Sequence, residues 1–162
     1  MKVKLKLVNN SNCDKENVTV TLPTNDETIT RVLDRLIDCT YDEILVTEYK
    51  SPMNIDFSIY EGTDLYDVNK SIEKLNQVVT DDEKIALSEI YNNLDDVVSR
   101  AQRGTYEFYP NQTLKNVAYR LANTERYKYY RNSDGDVDDS AIVDDLCKLG
   151  YEQTSMGVIL MK

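Results

Sequence analysis

The chain has no histidine and no tryptophan, and its 162 residues include only five glycines, three prolines and three cysteines. The missing histidine removes the side chain that most often serves as general base and metal ligand near neutral pH. With so few glycines, no Gly-rich phosphate loop can be assembled, and no serine or cysteine stands in a nucleophile motif. Paired carboxylates abound, but a glycosidase needs two in one shaped pocket, and spacing alone builds none. No enzyme activity and no cofactor are therefore expected. Cys13, Cys39 and Cys147 make an odd set without CxxC spacing, as expected of reduced, non-ligand thiols in a cytosolic protein. No apolar run approaches a membrane span. The start, MKVKLKLV, is too short and too charged for a signal peptide, so a cytoplasmic location is expected.

What the chain has is acid. Asp and Glu number 29 against 19 Lys and Arg, giving a net charge of −10 and a pI near 4.5. Apolar residues make up 41%, enough for a folded core and against wholesale disorder. A chain this acidic is repelled by nucleic acid unless a local basic patch intervenes, and attracted by a basic surface that holds DNA. Solubility alone is the competing account of the charge.

Hydrophobic spacing predicts an α+β fold in three small units. Lys2 to Val8 alternates lysine with Val3, Leu5 and Leu7, which reads as a half-buried strand with a charged outer face. Val18 to Leu22 alternates again, so a hairpin is expected, ended by Pro23. Thr24 or Asn25 can cap a helix running to Cys39, with Ile29, Val32, Leu33, Leu36 and Ile37 on its apolar side. Ile44 to Tyr49 is a strand, completing a ββαβ unit over residues 1–60. Residues 61–104 form a helical unit, and residues 105–162 a second α+β unit. In the last, Thr105–Tyr109 and Val158–Met161 read as strands, while helices surround Leu114–Leu121 and Asp139–Leu149.

The middle unit carries more carboxylate than a helix bundle requires. Its first helix starts at Thr63 or Asp64 and buries Leu65, Val68, Ile72, Leu75 and Val79. The candidate partner-binding acids are Glu61, Asp64, Asp67, Glu73, Asp81, Asp82, Glu83, Glu89, Asp95 and Asp96, joined further on by Glu107, Asp144 and Asp145. Asp64 and Asp67 can share a helix face, as can Asp82 and Glu89 two turns apart. Acids at such spacing give about one carboxylate per 5 Å of helix, and several helices together approach the density of B-DNA, about one charge per 1.7 Å. A structural account competes at Thr80-Asp81-Asp82-Glu83. That stretch has the form of a capping box, and first-turn acids suit the helix dipole.

Two other clusters invite chemistry. Asp134-Gly-Asp136-Val-Asp138-Asp139 has the D-x-D-x-D start of a calcium loop, but Asp139 stands where that loop needs glycine and Asp145 where it needs glutamate, so a solvated acidic loop is expected and no metal. Arg126-Tyr127-Lys128-Tyr129-Tyr130-Arg131 interleaves basic and aromatic residues. In a chain of this charge it is expected to form a dimer contact, through Tyr127, Tyr129, Tyr130 and Arg131, or a clasp onto the protein's own acids, rather than a nucleic-acid site.

Several segments together resemble the ArdA-type antirestriction proteins of mobile genetic elements and phages. ILVTEYKSP (Ile44 to Pro52) is similar to that family's I-x-D/E-Y-E-x-P segment. DLYDVNKSIEKLNQV (Asp64 to Val78) resembles its ELN helix, with Val68-Asn69 in the Leu-Asn place. DEKIALSEI (Asp82 to Ile90) is similar to the E-x-x-AL helix that follows, and NVAYRLANT (Asn116 to Thr124) to its D-V-A-x-Y helix. DDLCKLGYEQTSMGVILMK is similar to the closing segment. The order of these segments over about 110 residues carries the resemblance. Two places depart from it: Val18 to Leu22 stands where family members commonly have Gly-x-Trp, and Thr124 to Asp138 is Arg- and Tyr-rich. The resemblance implies an elongated, three-part, curved homodimer joined through its C-terminal part. It implies surface carboxylates that mimic DNA phosphates and occupy the DNA groove of type I restriction-modification enzymes. The same chemistry leaves open an inhibitor of another DNA-handling system, such as a CRISPR effector, or an acidic regulatory protein without mimicry. Neither direct nucleic-acid binding nor membrane association is expected.

Overall fold

A computed structural model describes residues 1–10, 17–36, 44–51, 53, 55, 57, 64–131 and 134–162. Among the described residues, six strands form two small sheets and six helices accompany them, a mixed α+β protein. The chain divides into two compact units, Met1–Gln102 and Arg103–Lys162. The one boundary between them falls at 102/103, whereas the sequence predicts three units with breaks after 60 and 104.

In the first unit, β1 (Val3–Asn9) lies between β2 (Asn17–Leu22) and β3 (Ile44–Lys50), both antiparallel to it. Alternation does what it predicts: Val3, Leu5, Leu7, Val18, Val20 and Leu22 are buried on one face, and lysines and threonines stand on the other. Helix α1 (Asp26–Arg35) packs over β2 with Ile29 and Val32 buried. Asn25 caps it, accepting from the Thr28 amide at 2.8 Å. The expected continuation to Cys39 falls outside the described residues beyond Leu36.

Three helices follow: α2 (Leu65–Val78), α3 (Asp81–Ile90) and α4 (Leu94–Arg103). Asn69 ties α2 to the first sheet's connector. Its side chain is 2% exposed, accepts from the Thr24 amide at 2.8 Å and donates to the Thr24 carbonyl at 2.9 Å. One buried amide thus satisfies both backbone groups of the residue after Pro23, which is why a polar residue stands on the buried side of α2.

In the second unit, β6 (Gly157–Met161) lies between β4 (Tyr106–Pro110) and β5 (Tyr151–Thr154), antiparallel to both. Helices α5 (Leu114–Leu121) and α6 (Asp139–Lys148) supply Val117, Ala118, Ile142 and Leu146 to a core that includes Ala122, Tyr127 and Val158. Strand β5 was not expected from sequence. Pro110 closes β4 as its last residue, opposite Gly157, where a missing N–H is tolerated.

Candidate functional site

Most carboxylates of α2 to α4 stand where a helix begins, while Glu73 and Glu89 lie further along. Asp64 is the N-cap of α2, accepting from the Tyr66 amide at 2.8 Å. The box expected at Thr80 is present: the Thr80 hydroxyl accepts from the Glu83 amide, and the Glu83 carboxylate accepts from the Thr80 amide at 2.8 Å. Asn93 accepts from the Asp95 amide at 2.8 Å, and Asp95 and Asp96 fill the first turn of α4. The helix dipole favours all these positions.

Several candidate acids also hold internal partners. Asp81 accepts from the Lys84 ammonium at 2.7 Å, which holds its carboxyl below the usual range. Asp95 accepts from the Ser71 hydroxyl at 3.3 Å, joining the start of α4 to the flank of α2. Glu73 accepts a long hydrogen bond from Asn69. Glu107, on β4, accepts from Lys162 at 2.6 Å and from the Tyr109 hydroxyl at 2.7 Å, and these bonds lower its pKa. The same bond raises that of Tyr109. Asp145 faces Arg126 at 3.4 Å.

Asp67, Asp82, Asp96 and Asp144 differ. All four are exposed, and none pairs with a cation among the described residues. Glu73 and Glu89 are exposed as well. Glu61 lies outside the described residues. The helical surface is not uniformly negative, since exposed Lys70 and Lys74 share α2 with Asp67 and Glu73, and Arg103 ends α4. The first-turn acids follow the dipole, whereas Lys70 and Lys74 lie mid-helix and neither α2 nor α3 has a base in its last turn.

The Arg/Tyr stretch folds against its own unit. Tyr127 is 2% exposed, in the core, with its ring 5.6 Å from that of Tyr130. Burial, with Asp145 beside it, pushes the Tyr127 hydroxyl up to about 12. Arg126 lies over the Tyr127 ring as it reaches Asp145. Arg131 donates to the Gly135 carbonyl and to Asn123, and pairs with Val137 across an isolated bridge. The acidic turn from Asp134 is thereby held by the stretch before it, and Asp138 spends its carboxylate capping α6. Of the four interface candidates only Tyr129 projects an aromatic ring, at 81% exposure.

A second charged surface escaped the sequence reading. The register of the first sheet sets Lys4 opposite Lys50 and Lys6 opposite Glu48. Glu48 accepts from Lys50 at 3.2 Å and from Lys6 at 3.3 Å, which lowers its pKa. Alternation put the β1 lysines on the outer face, but Lys50 joins them through a pairing more than forty residues distant in sequence, which no local pattern encodes.

Fold and surface together define a two-unit α+β protein with carboxylate-rich helix starts. No helix among the described residues is long and apolar enough to cross a membrane. No group of three or more metal-ligating side chains gathers among them. No protein-family model matches the chain, and no curated protein matches it significantly.

Proposed function

We propose that the chain is an acidic antirestriction inhibitor whose exposed carboxylates take the place of DNA phosphates in the groove of a type I restriction-modification enzyme. The observation that carries this reading is the set of open acids Asp67, Asp82 and Asp96 on three consecutive helices, with Glu73 and Glu89 beside them. Caps, an ion pair and a hydrogen bond hold Asp64, Asp81, Glu83 and Asp95, whereas Asp67, Asp82 and Asp96 suit the helix dipole but pair with no cation among the described residues. The net charge of −10 and the ArdA-like order of segments support it further.

Association of such a surface with a basic groove releases counterions as DNA does, so it weakens steeply with salt. The test is competition. A type I methyltransferase core is held on a labelled duplex, and the protein is titrated in at two salt concentrations. Displacement that weakens at high salt is the expected result. No displacement at low salt rejects this enzyme class as the target and turns the same assay to CRISPR effectors.

A further inference from the structure

We infer that the outer face of the first sheet is a contact surface for the phosphate backbone of duplex nucleic acid, separate from the acidic helices. The face presents Lys2, Lys4 and Lys6 in a row along the first residues and β1, Lys50 beside Lys4 on β3, and Thr19 and Thr21 on β2. Among the described residues four ammonium groups stand against one carboxylate, Glu48, which is already shared between Lys6 and Lys50. Lys2 and Lys4 have no partner among the described residues. Lys4, Lys6, Lys50, Thr19 and Glu48 line a shallow cleft of about 250 Å³.

Edge protection does not explain this arrangement. Lysines blunt the edges of sheets, but β1 is the central strand here. Lys4 directly opposite Lys50 is a like-charge cross-strand pair, which destabilises the sheet. A chain with ten surplus negative charges has an acid to spare for that place and does not put one there.

The side-chain types select the partner. Protein interfaces are depleted in lysine and anchored by aromatics and arginine, and this face offers none of those anchors. Single strands are held by base stacking, for which the face has no exposed ring. Lysine and threonine are regular donors to phosphate, positioning without reading sequence. Alternate residues of a strand lie about 6.7 Å apart, close to the rise along the B-DNA helix axis of two phosphate steps of about 3.4 Å each. The contact is weak and sequence-independent, and it is opposed by the charge of the rest of the molecule.

The test is fluorescence anisotropy of a short labelled duplex of random sequence, titrated with the whole chain at a series of salt concentrations. Binding at low salt is expected, falling roughly a hundredfold between about 50 and 200 mM, as about four phosphate contacts require. Lys4→Glu is expected to weaken it about tenfold and to flatten the salt slope by about one unit. The same substitution relieves the clash with Lys50, so its melting temperature rises and lost binding cannot be lost folding. Lys70→Glu on α2 is the control and leaves binding unchanged. Absence of duplex binding at low salt, or equal losses in Lys4→Glu and Lys70→Glu, overturns the inference. So does salt-sensitive self-association abolished by Lys4→Glu without duplex binding, which would assign the face to an acidic protein surface. None of these outcomes depends on displacement from the restriction enzyme, so the two readings fail separately.

Discussion

Lys84 is 3% exposed, and its ammonium rests on a carboxylate whose side chain is 65% exposed. Removing one partner of a buried pair leaves the other charge unsatisfied, at about 3–5 kcal/mol when both are buried. With Asp81 largely in solvent the expected loss for Asp81→Asn is smaller, about 1–2 kcal/mol. Asp82→Asn loses the same dipole interaction and strands no cation. Urea midpoints of the two variants are expected to differ by about 1 kcal/mol, with Asp81→Asn the less stable. Tyr127 gives a second residue-level outcome. A tyrosine in an unfolded chain titrates near 10, and this one is held to about 12. Folding therefore favours the neutral phenol. The stability this contributes is whole below pH 10 and is lost as pH rises from 10 towards 12. Alkaline denaturation of Tyr127→Phe is expected at higher pH than for the parent. An unchanged midpoint would separate this phenol from the transition.

Helix ends were legible in the sequence because capping is local chemistry. Asn25, Asp64 and Thr80 each accept from an amide two or three residues on, and short polar residues before apolar periodicity announce such caps. Thr80→Ala is expected to cost about 1 kcal/mol, read by thermal or urea unfolding of the first unit. Strand β5 was not legible. Tyr151 to Thr154 has four residues and little β-branching, and its own Gln153 side chain fastens it to distant backbone. Gln153 donates to the carbonyls of Gln112, Thr154 and Gly157 and accepts from the Leu114 amide. Those bonds join β5, the turn after it and the start of α5, and none shows in a hydrophobic pattern. The turn leads into Gly157, whose φ is +153°, and a Cβ there would stand 2.3 Å from the Tyr109 carbonyl oxygen. Gly157→Ala is expected to unfold the second unit at moderate temperature, because the obstacle is backbone. The hydroxyl-to-methyl change of Thr154→Val, which removes one bond to Gly157, is expected to cost only about 1 kcal/mol.

For the molecule as a whole, charge acts as a sum. Exposed ion pairs are worth about 0–1 kcal/mol each. Amide replacement of Asp67, Asp82 or Asp96 alone is therefore expected to leave competition with DNA within about fivefold of the parent. Replacing these three together with Glu73, Glu89 and Asp95 is expected to abolish it. At low salt the multiple variant should also melt higher, since like charges brought close oppose the compact state. A large loss from one acid would point to a specific pocket instead of a charged surface. Composition made the excess of acid plain, and periodicity placed it on helices. Its distribution was hidden: the spacing suggested about one carboxylate per 5 Å of helix, whereas most of these acids stand at helix starts, Glu73 and Glu89 lie further along, and Lys70 and Lys74 share α2 with them. The lysine face was half visible, through β1 alone, because its other member arrives by long-range pairing.

The two sheets are threaded oppositely, and this bears on how they form during synthesis. In the first, the central strand leaves the ribosome first, and β2 and β3 can add to it as they emerge. In the second, β4 and β5 each pair, among the described residues, with β6 alone, so neither has that neighbour until residues 157–161 are out. A chain stalled or clipped before Gly157 would carry a completed first unit beside a second with two unpaired strand edges. Such a product invites aggregation or proteolysis, and residues 157–161 set the moment at which the second unit is made.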